Sequence, residues 1–111
     1  MAFRIIHNIK SELAEQNNIN NFPGVDASDN PTLTYDFIIN NLRSLHLNCI
    51  NPLLEAIPDI KIKSAYRCKQ LNNLLGGVEN SQHTFGYAAD IVSTKGLIQF
   101  KCKDLKLFII K

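Results

Sequence analysis

Cysteine is scarce in this sequence and badly placed for cross-linking. Cys49, Cys68 and Cys102 are odd in number and widely spaced, with no Cys-x-x-Cys. That excludes a disulfide framework and a zinc site built from four cysteines. Reduced, mostly buried thiols are expected instead. Glycine and proline are also few, five and four among 111 residues, and no heptad is sustained, which excludes collagen-like and coiled-coil architectures. No apolar run approaches the ~20 residues of a membrane span. The opening Met-Ala-Phe-Arg-Ile-Ile-His-Asn lacks the apolar stretch of ~7–15 residues that precedes a secretory cleavage site, so no signal peptide is expected. Charge of one sign is missing too: twelve Lys and Arg stand against ten Asp and Glu, too even a balance to call for a nucleic-acid partner.

What is present is ordinary for one globular domain. Apolar residues make up 45% and charged residues 20%, enough for a single core over residues 1–111. One local bias stands out. Lys95, Lys101, Lys103, Lys106 and Lys111 crowd the end of the sequence. They read as the solvated face of a helix; attraction to an anionic polymer is the competing reading, and it lacks the interleaved aromatics that stack bases.

Periodicity gives the order of elements. A short helix is expected over residues 8–16, where Ile9, Leu13 and Gln16 share a face. Residues 17–31, rich in Asn, Asp, Gly, Pro and Ser, read as an irregular connection. A long amphipathic helix over roughly 31–51 follows from the spacing of Leu33, Phe37, Ile38, Leu42, Leu45 and Cys49. Pro31 is tolerated in its first turn, and Pro52 interrupts or kinks it before one more turn to Ile57. Ile60 to Tyr66 begins with the alternation of a half-exposed strand. Cys68 to Leu75 is helical, stopped by Gly76-Gly77. Tyr87 to Val92 reads as a second strand, and Leu97 to Ile110 as a terminal helix capped by Ser93 or Thr94. The fold class is α+β, a small sheet packed on helices.

Chemistry concentrates in Ser81-Gln82-His83-Thr84-Phe85-Gly86-Tyr87-Ala88-Ala89-Asp90. A His in a loop precedes an Asp on a strand by seven residues. Gly86 lies between them where a sharp turn needs no Cβ, and Ala88 and Ala89 leave room for groups to approach Asp90. Imidazole and carboxylate are zinc-binding groups, although spacing alone leaves open a hydrogen-bonded histidine and a capping aspartate. His46, beside Leu45, reads as a partly buried helix residue, and His7 as an exposed one.

A wider set of residues resembles a known family. Ser64-Ala65-Tyr66-Arg67-Cys68, Leu71-Asn72, Gly76-Gly77, Asn80-Ser81-Gln82-His83, Gly86 and Ala88-Ala89-Asp90-Ile91 are similar to the D-Ala-D-Ala carboxypeptidase-like zinc peptidases. These comprise peptidoglycan carboxypeptidases, D,D-dipeptidases and phage L-alanyl-D-glutamate endolysins. Their pattern is S/T-G-Y-R…L-N…G-G…S-x-H-x-x-G-x-A-x-D, and Ala65 here replaces the usual Gly. Ser11 to Pro23 and Leu42 to Leu53 resemble the family's lead-in and long helix, so the likeness runs from about residue 8 to residue 111.

The resemblance implies a hedgehog/DD-peptidase-like fold with a small antiparallel sheet. It implies Zn2+ as cofactor, His83 and Asp90 as metal ligands, and peptidoglycan stem peptides as partners. Arg67 would steady the substrate oxyanion, with a strand-end salt bridge as its other reading. Ser81 and Gln82 would touch the peptide or orient the loop. The setting implied is cytoplasmic, or that of a phage virion or host lysis. The family also uses a third ligand, a His on a late strand, and a Glu as general base, both beyond the terminal helix. Neither His nor Glu occurs from Ile91 to Lys111. The expectation is thus a chain lacking the family's last strands, either a fragment of an active enzyme, a non-catalytic peptidoglycan-binding or virion module, or a chain that borrows the missing groups from another.

Overall fold

A computed structural model describes residues 8–79 and 81–92 in full, and the backbone of 98–102 and 105–110. Helix α1 (Glu12–Gln16) starts where Ser11 Oγ accepts from the Ala14 amide at 3.1 Å, and Glu12 and Glu15 sit toward its positive end. The connection that follows contains one 3-10 turn, Val25–Ser28. Helix α2 (Tyr35–Leu45) begins at Thr34, whose Oγ1 accepts from the Phe37 amide at 3.2 Å. That cap places the start four residues beyond Pro31, which lies in the preceding turn.

The helix then widens into a π-helical segment, His46–Ile50, and closes as α3 (Asn51–Ala56). Pro52 explains the irregularity, because it has no N–H to offer the carbonyl of Asn48. His46, read as partly buried, is only 2% exposed. Its Nε2 lies 3.0 Å from Asn8 Oδ1, so it belongs to the core and not to the Asp90 site. His7 lies outside the described residues.

Strand β1 (Lys61–Ser64) pairs antiparallel with β2 (Ala88–Val92). The register sets Ile62 opposite Ile91 and Ser64 opposite Asp90, with a bulge at Lys63. Between the two strands runs α4 (Lys69–Leu74), capped by Cys68 and followed by Gly76 at φ 71°, and then the single turn α5 (Gln82–Phe85). The α5 turn stands where a loop is read around His83, whereas β1, α4 and β2 follow the periodicity closely.

The end of the chain does not. Residues expected as a terminal helix form two strands, β3 (Ile98–Cys102) and β4 (Leu105–Ile110). They pair with each other antiparallel, and β4 pairs parallel with β2, giving the order β1-β2-β4-β3. The sheet is therefore mixed, not antiparallel throughout, and strands stand where a helix had been read. The reason lies in the residues. Ile98-Gln99-Phe100-Lys101-Cys102 alternates with a period of two, as does Leu105-Lys106-Leu107, and Phe and Ile favour strands. Lys101 and Lys106, expected on a helix face, stand on strands instead, and Lys95, Lys103 and Lys111 lie outside the described residues. Ser93 and Thr94, the expected caps, lie outside the described residues.

The core joins α2 and the π-helical segment to the sheet and α4, through Ile38, Leu42, Leu45, Ile50, Tyr66, Leu71 and Ile91, each at most 2% exposed. Cys49 and Cys68 are buried in the core. Among the described residues no helix is long and apolar enough to cross a membrane.

Candidate metal centre

The site is assembled from three segments, and polar ties fix each of them. Past β1 the chain runs extended through Ala65, Tyr66 and Arg67. Asn21 holds this stretch from the irregular connection: its Nδ2 donates to the carbonyls of Ile9 (2.9 Å) and Tyr66 (3.2 Å), and its Oδ1 accepts from the Cys68 amide at 2.7 Å. Asp26 Oδ2 accepts from the Lys69 amide at 2.9 Å. Arg67 is thus anchored on both sides in sequence. The sequence marks neither Asn21 nor Asp26 as a positioning residue; the Asn21-Phe22-Pro23 string is its one local signal.

The second segment is α5. Ser81 caps it, Oγ accepting from the His83 amide at 3.3 Å, and the Ser81 carbonyl accepts from Thr84 Oγ1 at 2.6 Å. Gly86 ends it at φ 81°, where a Cβ would stand 2.8 Å from the Ile38 carbonyl oxygen of α2. Asn41 Nδ2 of α2 donates to the Phe85 carbonyl at 2.9 Å. The turn therefore rests directly on the long helix. It is also tied to the Arg67 segment, because the Arg67 amide donates to the His83 carbonyl at 3.1 Å.

The third segment is β2, which carries Asp90. Its carboxylate oxygens divide their work. Oδ2 accepts from Arg67 Nη2 at 2.7 Å, and Oδ1 lies 3.4 Å from His83 Nε2. Arg67 Nε donates to Ser64 Oγ at 3.2 Å. The side chains of Arg67, Asp90 and His83 are 14%, 16% and 8% exposed, at the mouth of the site and not in solvent. Burial raises the Asp90 carboxyl. The hydrogen-bonding contact and charge of His83, then the charges of Arg67 and Lys63, outweigh it and hold the group below the ordinary carboxylate range.

The tautomer of His83 is the informative detail. Nδ1 sits 2.7 Å from the Ala65 carbonyl oxygen, which has only lone pairs to offer, so Nδ1 carries the proton. In a neutral ring Nε2 then presents a lone pair to the Asp90 carboxylate. Two acceptors held face to face need a cation between them, either a proton or a metal ion. At 3.4 Å the pair is longer than a good N–H···O bond of ~2.7–3.2 Å. It matches the edge of a tetrahedral zinc site, about 3.3–3.5 Å for Zn–N of ~2.0–2.1 Å and Zn–O of ~2.0–2.2 Å. An imidazole fixed by a carbonyl on its far nitrogen is also how metal-binding histidines are commonly oriented.

So the structure brings His83, Asp90 and Arg67 together. Arg67 is engaged with Asp90, in the manner of the salt-bridging alternative. Ser81 serves as the cap of α5, and Gln82 stands next to it with a buried Oε1 that has no hydrogen-bond partner among the described residues. Among the described residues no group of three His, Cys, Asp or Glu side chains could hold a metal.

In this α+β chain Arg67, past the end of β1, His83, on the α5 turn, and Asp90, on β2, thus come together at one place. The family model described as Peptidase M15 matches residues 9–102, and the chain belongs to that family, the zinc D-Ala-D-Ala carboxypeptidase-like peptidases. Comparison with curated proteins and with solved structures found no match. His83 and Asp90 fit the family's metal, through the tautomer and the separation just described.

The depressed Asp90 carboxyl has a consequence for stability. The unfolded chain takes up this proton at a higher pH than the folded one. The contribution is therefore complete above the ordinary carboxylate range and is lost as pH falls through the folded value. Arg67→Met removes one of the charges responsible, and the Asp90 carboxyl carbon, followed by NMR, is expected to titrate at higher pH than in the parent. An unchanged titration would show that the 2.7 Å pair does not exist in solution.

Proposed function

We propose that the chain is the metal- and substrate-binding core of a zinc-dependent metallopeptidase acting on peptidoglycan stem or cross-link peptides, of endolysin or D,D-carboxypeptidase type, on a hedgehog/DD-peptidase-like fold. The observation that carries this is the His83 Nε2–Asp90 Oδ1 edge of 3.4 Å with Nδ1 tied to the Ala65 carbonyl. Bound there, zinc supplies Lewis acidity toward an amide carbonyl and toward water.

The chain's own residues do the rest. The Ala65 carbonyl keeps the Nε2 lone pair aimed at the metal position. Arg67 neutralises Asp90 Oδ2 and so directs Oδ1 toward that position. Its fixed, permanently charged guanidinium stands where a developing oxyanion would be stabilised. Ser81 and Gln82 line up α5 for contact with the peptide.

A second reading rests on a specific observation. Zinc catalysis commonly uses three protein ligands and a base, and among the described residues no group of three His, Cys, Asp or Glu side chains could hold a metal. A non-catalytic peptidoglycan-binding or virion module on the same fold has this property. One assay separates the two. The purified chain is incubated with zinc and isolated peptidoglycan, and both new amino groups and co-sedimentation are measured. Chelator-sensitive release of amino groups is the expected result for the peptidase. Co-sedimentation without release would establish the binding module, and neither would refute both.

A further inference from the structure

Beside the metal pair lies a cavity of about 950 Å³. All of β1, Lys61 to Ser64, lines it, together with residues 10–13 at the start of α1. Arg67 and Asp90 line it as well. β1 is one of the two outer strands of the sheet and pairs on one side only, with β2, so no described strand covers its other edge. Such an edge accepts an extended peptide by main-chain hydrogen bonds, with side-chain pockets supplying selectivity.

The charge on this cavity has one prevailing sign. Lys10, Lys61 and Lys63 line it and form no salt bridge among the described residues. Opposing them is Glu12, since Asp90 is already paired with Arg67. Lys61 and Lys63 are exposed and lie two apart on β1. The bulge between Ile62 and Ser64 falls on Lys63, and bulges re-aim side chains beside active sites.

We propose that this slot is a subsite for an extended, carboxylate-bearing peptide, laid along β1 with its anionic groups on Lys61 and Lys63 and its chain leading to the His83–Asp90 pair. The proposal rests on the peptidoglycan reading for the identity of the peptide. It assigns to β1 the recognition of an acidic stem peptide through a free side-chain or α-carboxylate, and it makes Lys61 and Lys63 specificity-determining residues.

The test uses the whole chain and a free stem pentapeptide bearing the D-glutamyl α-carboxylate, beside the same peptide with that group amidated. Binding is measured by calorimetry for the parent and for the double variant Lys61→Gln/Lys63→Gln. Both lysines are exposed, so thermal unfolding should be unchanged in the variant. Loss of the lysines is expected to weaken the carboxylate peptide roughly tenfold, in the range of one or two charge-assisted contacts at a partly exposed site. Amidation should weaken the parent by a similar factor and leave the variant nearly unaffected, the signature of a coupled pair. Equal affinity of parent and variant, an amidation penalty of the same size in both, or no binding by the parent would overturn the subsite. Zinc uptake is measured in parallel. Lysine-dependent binding in a chain that takes up no zinc would sink the metallopeptidase reading and leave the subsite standing. Zinc uptake with lysine-independent binding would do the reverse.

Discussion

His83→Ala is expected to weaken zinc binding by more than about 100-fold, measured by competition with a chromophoric chelator. The ring supplies the nitrogen of the pair, and no other described histidine approaches it: His46 is buried against Asn8. Loss of a mere outer-shell partner of a metal ligand costs ~10–100-fold, so loss of the ligand itself should cost more. The substitution also deletes the bond from Nδ1 to the Ala65 carbonyl and leaves that acceptor buried, at a cost of ~1–3 kcal/mol in stability. Thermal unfolding without metal should show that part separately. Asp90→Asn is the companion variant. It keeps the shape of the side chain and removes the charge that faces Nε2, so zinc binding should fall while the fold persists at neutral pH. Parent-like affinity in both variants would remove the metal site from the molecule.

The second large effect belongs to the scaffold. Gly86→Ala is expected to lower stability by about 3 kcal/mol, read from the urea midpoint. The φ of 81° costs an L-residue ~1–2 kcal/mol, and the new Cβ meets the Ile38 carbonyl oxygen at 2.8 Å. That oxygen belongs to the backbone of α2 and cannot rotate aside, so α2 or α5 must shift. Gly76→Ala is the control. Its φ is similar, 71°, yet nothing lies within 4 Å of the added Cβ, and only the backbone cost of roughly 1 kcal/mol should appear. The difference isolates the contact between α5 and α2. Because α5 carries His83, the Gly86 variant should also bind zinc more weakly in its folded fraction. Equal losses at the two glycines would mean that α5 does not rest on α2 as described.

Local signals were readable in the sequence, and contacts between distant segments were not. The strand at Lys61–Ser64, the glycine stop after α4, the turn at Gly86 and the strand bearing Asp90 each depend on a few adjacent residues, and each stands where periodicity placed it. Residues 97–110 were ambiguous for a physical reason. Leu107-Phe108-Ile109-Ile110 is a continuous apolar run, which period cannot assign to helix or strand. The lysines around it imitate a helix face unless the alternation from Ile98 to Cys102 is weighed first. Insertion of β4 beside β2, with β3 outside it, is a pairing that no window of sequence contains. The same holds for Asn21 and Asp26, whose partners lie more than forty residues away at Tyr66, Cys68 and Lys69. Within the site, the sequence singles out His83, Asp90 and Arg67 but does not contain the contacts among them. Arg67 pairs through Nη2 with Asp90, the salt bridge that the sequence left open beside an oxyanion role.

Anomalous diffraction at the zinc edge, from crystals of the chain grown with zinc, addresses the metal centre most directly. The expected map has one strong peak about 2.0–2.2 Å from both His83 Nε2 and Asp90 Oδ1, with His83 Nδ1 still on the Ala65 carbonyl and Arg67 still on Asp90 Oδ2. A map with no peak between those two atoms, in crystals where the metal is demonstrably present elsewhere, would contradict it.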